Sequence, residues 1–150
     1  MNLPDWDPMV FYIQKTVDAG LITLQKRIKI WTKATSTVDA TLTNENPQTA
    51  EAIWKALPIK GSANRWGDEI YFTIPVALKE ENARAKVENG AIAYWPPGKA
   101  LCIFFGRTPA SKNNEPQAAS PVNVFAKVTE EAIFRQVKSG ANITIEKYEE

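Results

Sequence analysis

At 150 residues and 16.7 kDa the chain has the length of one domain, and a single fold of that size buries roughly 70% of the extended chain's surface without disulfides. Lys and Arg number 18 against 17 Asp and Glu, a net charge of +1 that speaks against a dedicated nucleic-acid binder with its many phosphate contacts. The absence of histidine and the single cysteine exclude zinc fingers, His-ligated metals, intramolecular disulfides and every Ser-His-Asp or Cys-His catalytic arrangement, and no cofactor is implied.

The segment from Met1 to Lys15 has no basic region followed by an unbroken apolar run and a cleavage site. No stretch approaches the ~18 apolar residues of a membrane span. A cytoplasmic protein is expected, with no membrane or nucleic-acid partner.

In chain order, Pro8 to Ala19 reads as a helix, with Asp7 as cap and Gly20 at its exit. Leu21 to Thr32 alternates as a strand, Leu24, Ile28 and Ile30 on one face and Arg27 and Lys29 on the other. Thr37 to Thr43 alternates in the same way. Pro47 to Leu57 is the clearest helix: Asn46 suits the cap, and Ala50, Ile53, Trp54 and Leu57 fall on one apolar face. A loop over Ile59 to Asp68 leads to the strand Glu69 to Ala77. Glu80 to Ala85 is irregular, Ala91 to Trp95 is a strand, and Trp95-Pro96-Pro97-Gly98-Lys99 forces a tight bend into the strand Ala100 to Gly106. Arg107 to Pro121 reads as a long surface loop. Val122 to Val128 is a strand with Val122, Val124, Ala126 and Val128 on one face. Thr129 caps a short helix, Glu130 to Lys138, and Asn142 to Tyr148 is the final strand. About seven or eight strands and two or three helices point to a mainly β domain with an antiparallel, closed sheet and helices over its ends.

Two segments carry a resemblance: Trp66-Gly67-Asp68-Glu69-Ile70-Tyr71-Phe72, and Tyr94-Trp95-Pro96-Pro97-Gly98-Lys99-Ala100-Leu101-Cys102-Ile103-Phe104-Phe105-Gly106-Arg107-Thr108-Pro109. They resemble the signature of small bacterial and archaeal cyclophilin-like barrel proteins of uncharacterised function. Gln48 to Leu57 is similar to the first helix of cyclophilins, and Val124-Phe125-Ala126-Lys127-Val128 to their V-F-G-K-V strand. The resemblance covers Lys26 to Tyr148. It implies a closed, cyclophilin-like eight-stranded β-barrel capped by two helices over residues 26–150, with residues 1–25 as an N-terminal helical extension. It does not bring isomerase activity with it. Cyclophilins carry F-H-R, a following glutamine, S-Q-F-F and a pocket histidine. This chain reads Asn64-Arg65-Trp66-Gly67-Asp68-Glu69, lacks S-Q-F-F over Asn113 to Pro121, and has no histidine. Arg65 is out of register by about one residue, and a strand shift of one reverses a side chain's face.

Adjacent Asp68 and Glu69 cannot converge on a regular strand, so a solvated turn is the expected reading. Cys102, between Leu101 and Ile103, reads as a buried hydrophobe. No phosphate-binding glycine loop is present. Trp66, Tyr71, Tyr94, Trp95 and Phe104 gather in the two motifs beside Arg65 and Arg107. These seven residues are the candidate ligand-binding set, in a groove between the Trp66 and Arg107 loops. Packing beneath the long loop and the N-terminal helix accounts for the aromatics equally well. The first functional reading is a non-catalytic module that binds a small molecule or extended peptide on the barrel wall. A peptidyl-prolyl isomerase using Arg65 or Arg107, and a structural protein that oligomerises through Trp6, Met9, Val10, Phe11 and Ile13, are the alternatives. No catalytic residue and no metal ligand is assigned.

Overall fold

Branched apolar residues alternating with polar ones build the first hairpin of the computed structural model, β1 (Arg27–Thr32) and β2 (Ser36–Leu42). Ile28, Ile30, Val38 and Ala40 are buried from it. The structure describes residues 26–149, so the helix expected over Pro8 to Ala19, and the docking expected of residues 1–25, lie outside the described residues.

An α-helix follows, α1 (Pro47–Ala56), with Thr49, Ala50 and Ile53 buried. The next strands are β3 (Ile59–Ser62), β4 (Asn64–Arg65), β5 (Glu69–Thr73), β6 (Arg84–Lys86), β7 (Ala91–Trp95) and β8 (Ala100–Phe104). The last are β9 (Gln117–Lys127) and β10 (Asn142–Lys147), separated by a 3-10 turn at Glu131–Gln136. A second 3-10 turn, Pro96–Gly98, makes the bend between β7 and β8, and Lys99 leaves it in the left-handed region at φ 49°.

The pairings are antiparallel throughout. They run β3-β10-β1-β2-β9-β7-β8-β5-β4, with β6 attached to β9. The two ends of this path, β3 and β4, are consecutive in the chain and meet at Ala63. The Ala63 amide donates to the Ala141 carbonyl at 2.8 Å, and the Phe72 ring packs against Gly61. The sheet therefore rolls round one core, but among the described residues no ladder of hydrogen bonds joins its ends.

Of the expected closed eight-stranded barrel capped by two helices, the structure shows a mainly β, antiparallel sheet with two helices. Ten strands form the sheet, and the helix expected over Glu130 to Lys138 is present as the 3-10 helix Glu131–Gln136. Two stretches read as loops carry strands: β3 and β4 lie within Ile59 to Asp68, and β9 begins at Gln117. Val122, Val124, Ala126 and Val128 do not share a face either. Ile92 opposes Ala126 and Ala93 opposes Val124, so β9 holds one extra residue, Phe125. That bulge sends Val122 and Val124 outward and keeps Phe125, Ala126 and Val128 in the main core.

Candidate functional site

Alternation along β5, β7 and β8 divides their side chains between two faces. Ile70, Phe72, Ile92, Tyr94, Leu101 and Ile103 enter the main core. Ala91, Ala93, Ala100, Cys102 and Phe104 face the other way, and they are buried too. Val87, next to β6, and Ala118 and Val122 on β9 cover them. Arg84 holds this cover in place by pairing with Glu45 and, at 2.6 Å, with Glu88.

Four outward residues of β7 and β8, Ala91, Ala93, Ala100 and Cys102, are small, which leaves space between wall and cover. The result is a half-open cavity of ≈ 190 Å³ lined by Trp66, Glu69, Tyr71, Trp95 and Cys102, with Ala118, Ala119 and Val122 opposite. The β4–β5 hairpin brings the first three together. The Trp66 amide donates to the Glu69 carbonyl at 2.9 Å across a two-residue turn, so Trp66 and Glu69 sit opposite each other. Gly67 holds φ +64° in that turn, and a Cβ there would lie 2.9 Å from the Arg107 carbonyl oxygen. Trp95 is held from two sides. Its indole Nε1 donates to Ser120 Oγ at 2.7 Å, and its ring lies so close to Gly98 that a Cβ there would come within 2.6 Å.

Glu69 is only 5% exposed, which corrects the solvated turn expected for Asp68 and Glu69. Burial pushes its carboxyl up to about 7, with the adjacent Cys102 thiol acting in the opposite direction. Burial and the same carboxylate push the Cys102 thiol well above its ordinary value. Among the described residues, no lysine or arginine lines the cavity.

Trp66, Tyr71 and Trp95 of the candidate set thus line one cavity, and Arg65, Tyr94, Phe104 and Arg107 do not. Tyr94 faces the main core, where its hydroxyl donates to the Val76 carbonyl at 2.6 Å and accepts from the Leu78 amide at 3.1 Å. Phe104 is fully buried in the outer cluster. Arg65 lies one residue from Trp66 and so on the other face. Its guanidinium sits 5.0 Å from the Phe105 ring and donates to the Gly67, Arg135 and Val137 carbonyls and to Asp68. Arg107 is exposed and braces its loop through the Asn113 carbonyl. Glu69 and Cys102 were missed as cavity residues. The signal was present in the phase: both alternate with inward residues, Glu69 with Ile70 and Phe72 in step with Tyr71, and Cys102 with Leu101 and Ile103 in step with Ala100.

The family model of cyclophilin-like proteins matches residues 26–146. The chain belongs to the cyclophilin-like family. A hypothetical protein from Archaeoglobus fulgidus, known from a solution structure, is 43% identical to this cyclophilin-like chain. That match covers 83% of this chain and 95% of the archaeal one, with a TM-score of 0.71. A search among curated proteins gives no match. Among the described residues of the cyclophilin-like domain, no helix is long and apolar enough to cross a membrane, and no cluster of three or more Cys, Asp and Glu is arranged to hold a metal ion.

Proposed function

We infer that this cyclophilin-like domain is a binding module without isomerase activity, and that it takes a small molecule or a side chain of an extended peptide into the outer-wall cavity. The observation that carries this reading is the enclosure of two indoles and a phenol around a buried carboxyl in ≈ 190 Å³. Mostly apolar concavities with a few convergent polar groups are where ligands bind. A cavity of about 150 Å³ in another protein admits benzene, so one ring-sized group fits here. Isomerisation faces a barrier of ~18–20 kcal/mol and needs a donor aimed at the proline amide. The Arg65 guanidinium is engaged by three carbonyls and a carboxylate, and it faces away from the cavity.

Benzyl alcohol serves as a test probe. Its titration is expected to shift the amide resonances of Trp66 to Tyr71 and of Ala118 to Val122, and filling the cavity by Ala118→Phe abolishes those shifts in a folded protein. Shifts confined to another surface, or cyclophilin-like turnover of an Xaa-Pro peptide, overturn the reading.

A further inference from the structure

The cavity is chemically one-sided. Around Glu69 stand indole and phenol rings, methyl groups, the Val122 side chain and the Cys102 thiol, which also reaches the Ala100 carbonyl at 4.0 Å. An ionised carboxylate offers about four acceptor positions, so one weak thiol donor leaves most of them unfilled. A buried charge without a partner is costly, and among the described residues that line the cavity none is cationic: the titratable groups facing Glu69 there are Cys102 on β8 and Tyr71 on its own strand. The neighbouring Asp68 is turned away and tied to Arg65 at 3.2 Å. Aromatic faces within ~6 Å add to the attraction for a cation. An anion would meet a carboxylate with nothing to offset it, and a neutral ring would leave the carboxylate's acceptors unfilled.

The geometry points to a small organic cation as the ligand: a protonated amine on an apolar body of about ring size, its ammonium on Glu69 and its body against Trp66, Tyr71 and Trp95. This rests on the reading of the cavity as the binding site. The ammonium completes the hydrogen bonding that Cys102 leaves unfilled, and the charge pair forms in a setting that water only partly reaches. Because burial holds the Glu69 proton up to about 7, a cation bound below that pH expels the proton. Affinity for an amine therefore rises with pH until Glu69 is ionised and then levels off.

Isothermal titration of the full chain with benzylamine, benzyl alcohol and benzoate tests the assignment at pH 5.5 and 8. At pH 8 benzylamine is expected to bind about tenfold tighter than benzyl alcohol or more, and benzoate not measurably. That preference shrinks severalfold at pH 5.5 and collapses in Glu69→Gln, the pH arm standing independently of any folding defect in the variant. Titration with N-acetyl-lysine amide separates the sources of the amine: binding as tight as benzylamine's points to a peptide-borne lysine, and markedly weaker binding to a free amine. Equal affinity for benzylamine and benzyl alcohol, unchanged in Glu69→Gln, or a preference for benzoate, overturns the cation assignment while the cavity remains a ligand site. Failure of both benzylamine and benzyl alcohol to bind overturns that site and the assignment with it.

Discussion

Asp68 and Glu69 are chain neighbours that the hairpin sends to opposite faces. Asp68 stays half-exposed, its amide donating to the Arg107 carbonyl at 2.7 Å and its carboxylate paired with Arg65. Glu69 turns under the cover, where its proton is held and the Cys102 thiol leans on it. The residue pattern discloses the reversal of faces, because Glu69 and Tyr71 alternate with Ile70 and Phe72. It does not disclose that a second layer lies over the outer face, since that layer comes from Val87 and Ala118, far along the chain. The expected burial of Cys102, by contrast, was legible from its apolar neighbours alone. Its reactivity follows from both facts. A thiol that is fully buried beside a carboxylate forms little thiolate, so native protein should alkylate with iodoacetamide on the order of a hundredfold slower than the denatured chain. Equal rates in the two states would mean that Cys102 is not packed under β9.

Among the elements, α1 shows how a helix end can be completed from a distance. Asn46 was the expected cap and Pro47 the expected first residue, and Pro47 does start the helix. Asn46 holds the N-cap position, its carbonyl accepting from the Ala50 amide at 2.9 Å, but its side chain donates to the Val124 carbonyl at 2.8 Å and accepts from the Asn82 amide, tying the helix entrance to β9. The capping carboxylate is that of Glu81, which accepts from the Gln48 amide at 3.1 Å, the Thr49 amide at 3.0 Å and the Thr49 hydroxyl at 2.9 Å. Burial raises the Glu81 carboxyl, and these three donors outweigh that and hold it below its ordinary value. No local pattern marks a cap thirty-odd residues away, just as no alternation marks the two residues of β4 or the bulge at Phe125. The alternating runs β1 and β2 were legible because packing agrees with their period, and β7 and β8 as apolar runs bounded by turn signals. Glu81→Ala should cost about 1 kcal/mol in denaturant unfolding, the usual loss of a helix cap. Asn123→Ala should cost more, about 2 kcal/mol, because its buried amide serves the Thr49 hydroxyl, the Lys79 carbonyl and the Glu81 amide at once. If both variants unfold with the wild-type midpoint, this loop does not secure α1.

At the scale of the whole molecule, the rolled sheet carries a conventional core inside and a second apolar layer outside, with the Glu69 carboxyl buried between wall and cover. That group ties global stability to pH with a definite sign. At low pH Glu69 is protonated in both the folded and the unfolded chain and contributes no difference. Above its ordinary value of 4.5 the unfolded chain releases the proton, while the folded chain keeps it up to about 7. The folded state then binds more protons, so this group lowers stability as pH rises through that window, and the loss is complete above it. At 1.36 kcal/mol for each pH unit the full loss is on the order of 3 kcal/mol. Glu51, Glu81 and Glu88, whose carboxyls are held below the ordinary range, act oppositely: what they contribute is present at neutral pH and is lost on acidification. Comparing the wild type with Glu69→Gln cancels their contributions. Urea unfolding at pH 4, 6 and 8 should show the two proteins close in stability at pH 4, and the glutamine variant progressively ahead towards pH 8. A difference that stays constant across the three values would mean that the Glu69 carboxyl titrates as if in water, and that the cover over the outer wall does not close on it. Benzylamine, if it is held as proposed, should narrow the gap at pH 8, because the bound cation stabilises the ionised Glu69 that the empty cavity penalises.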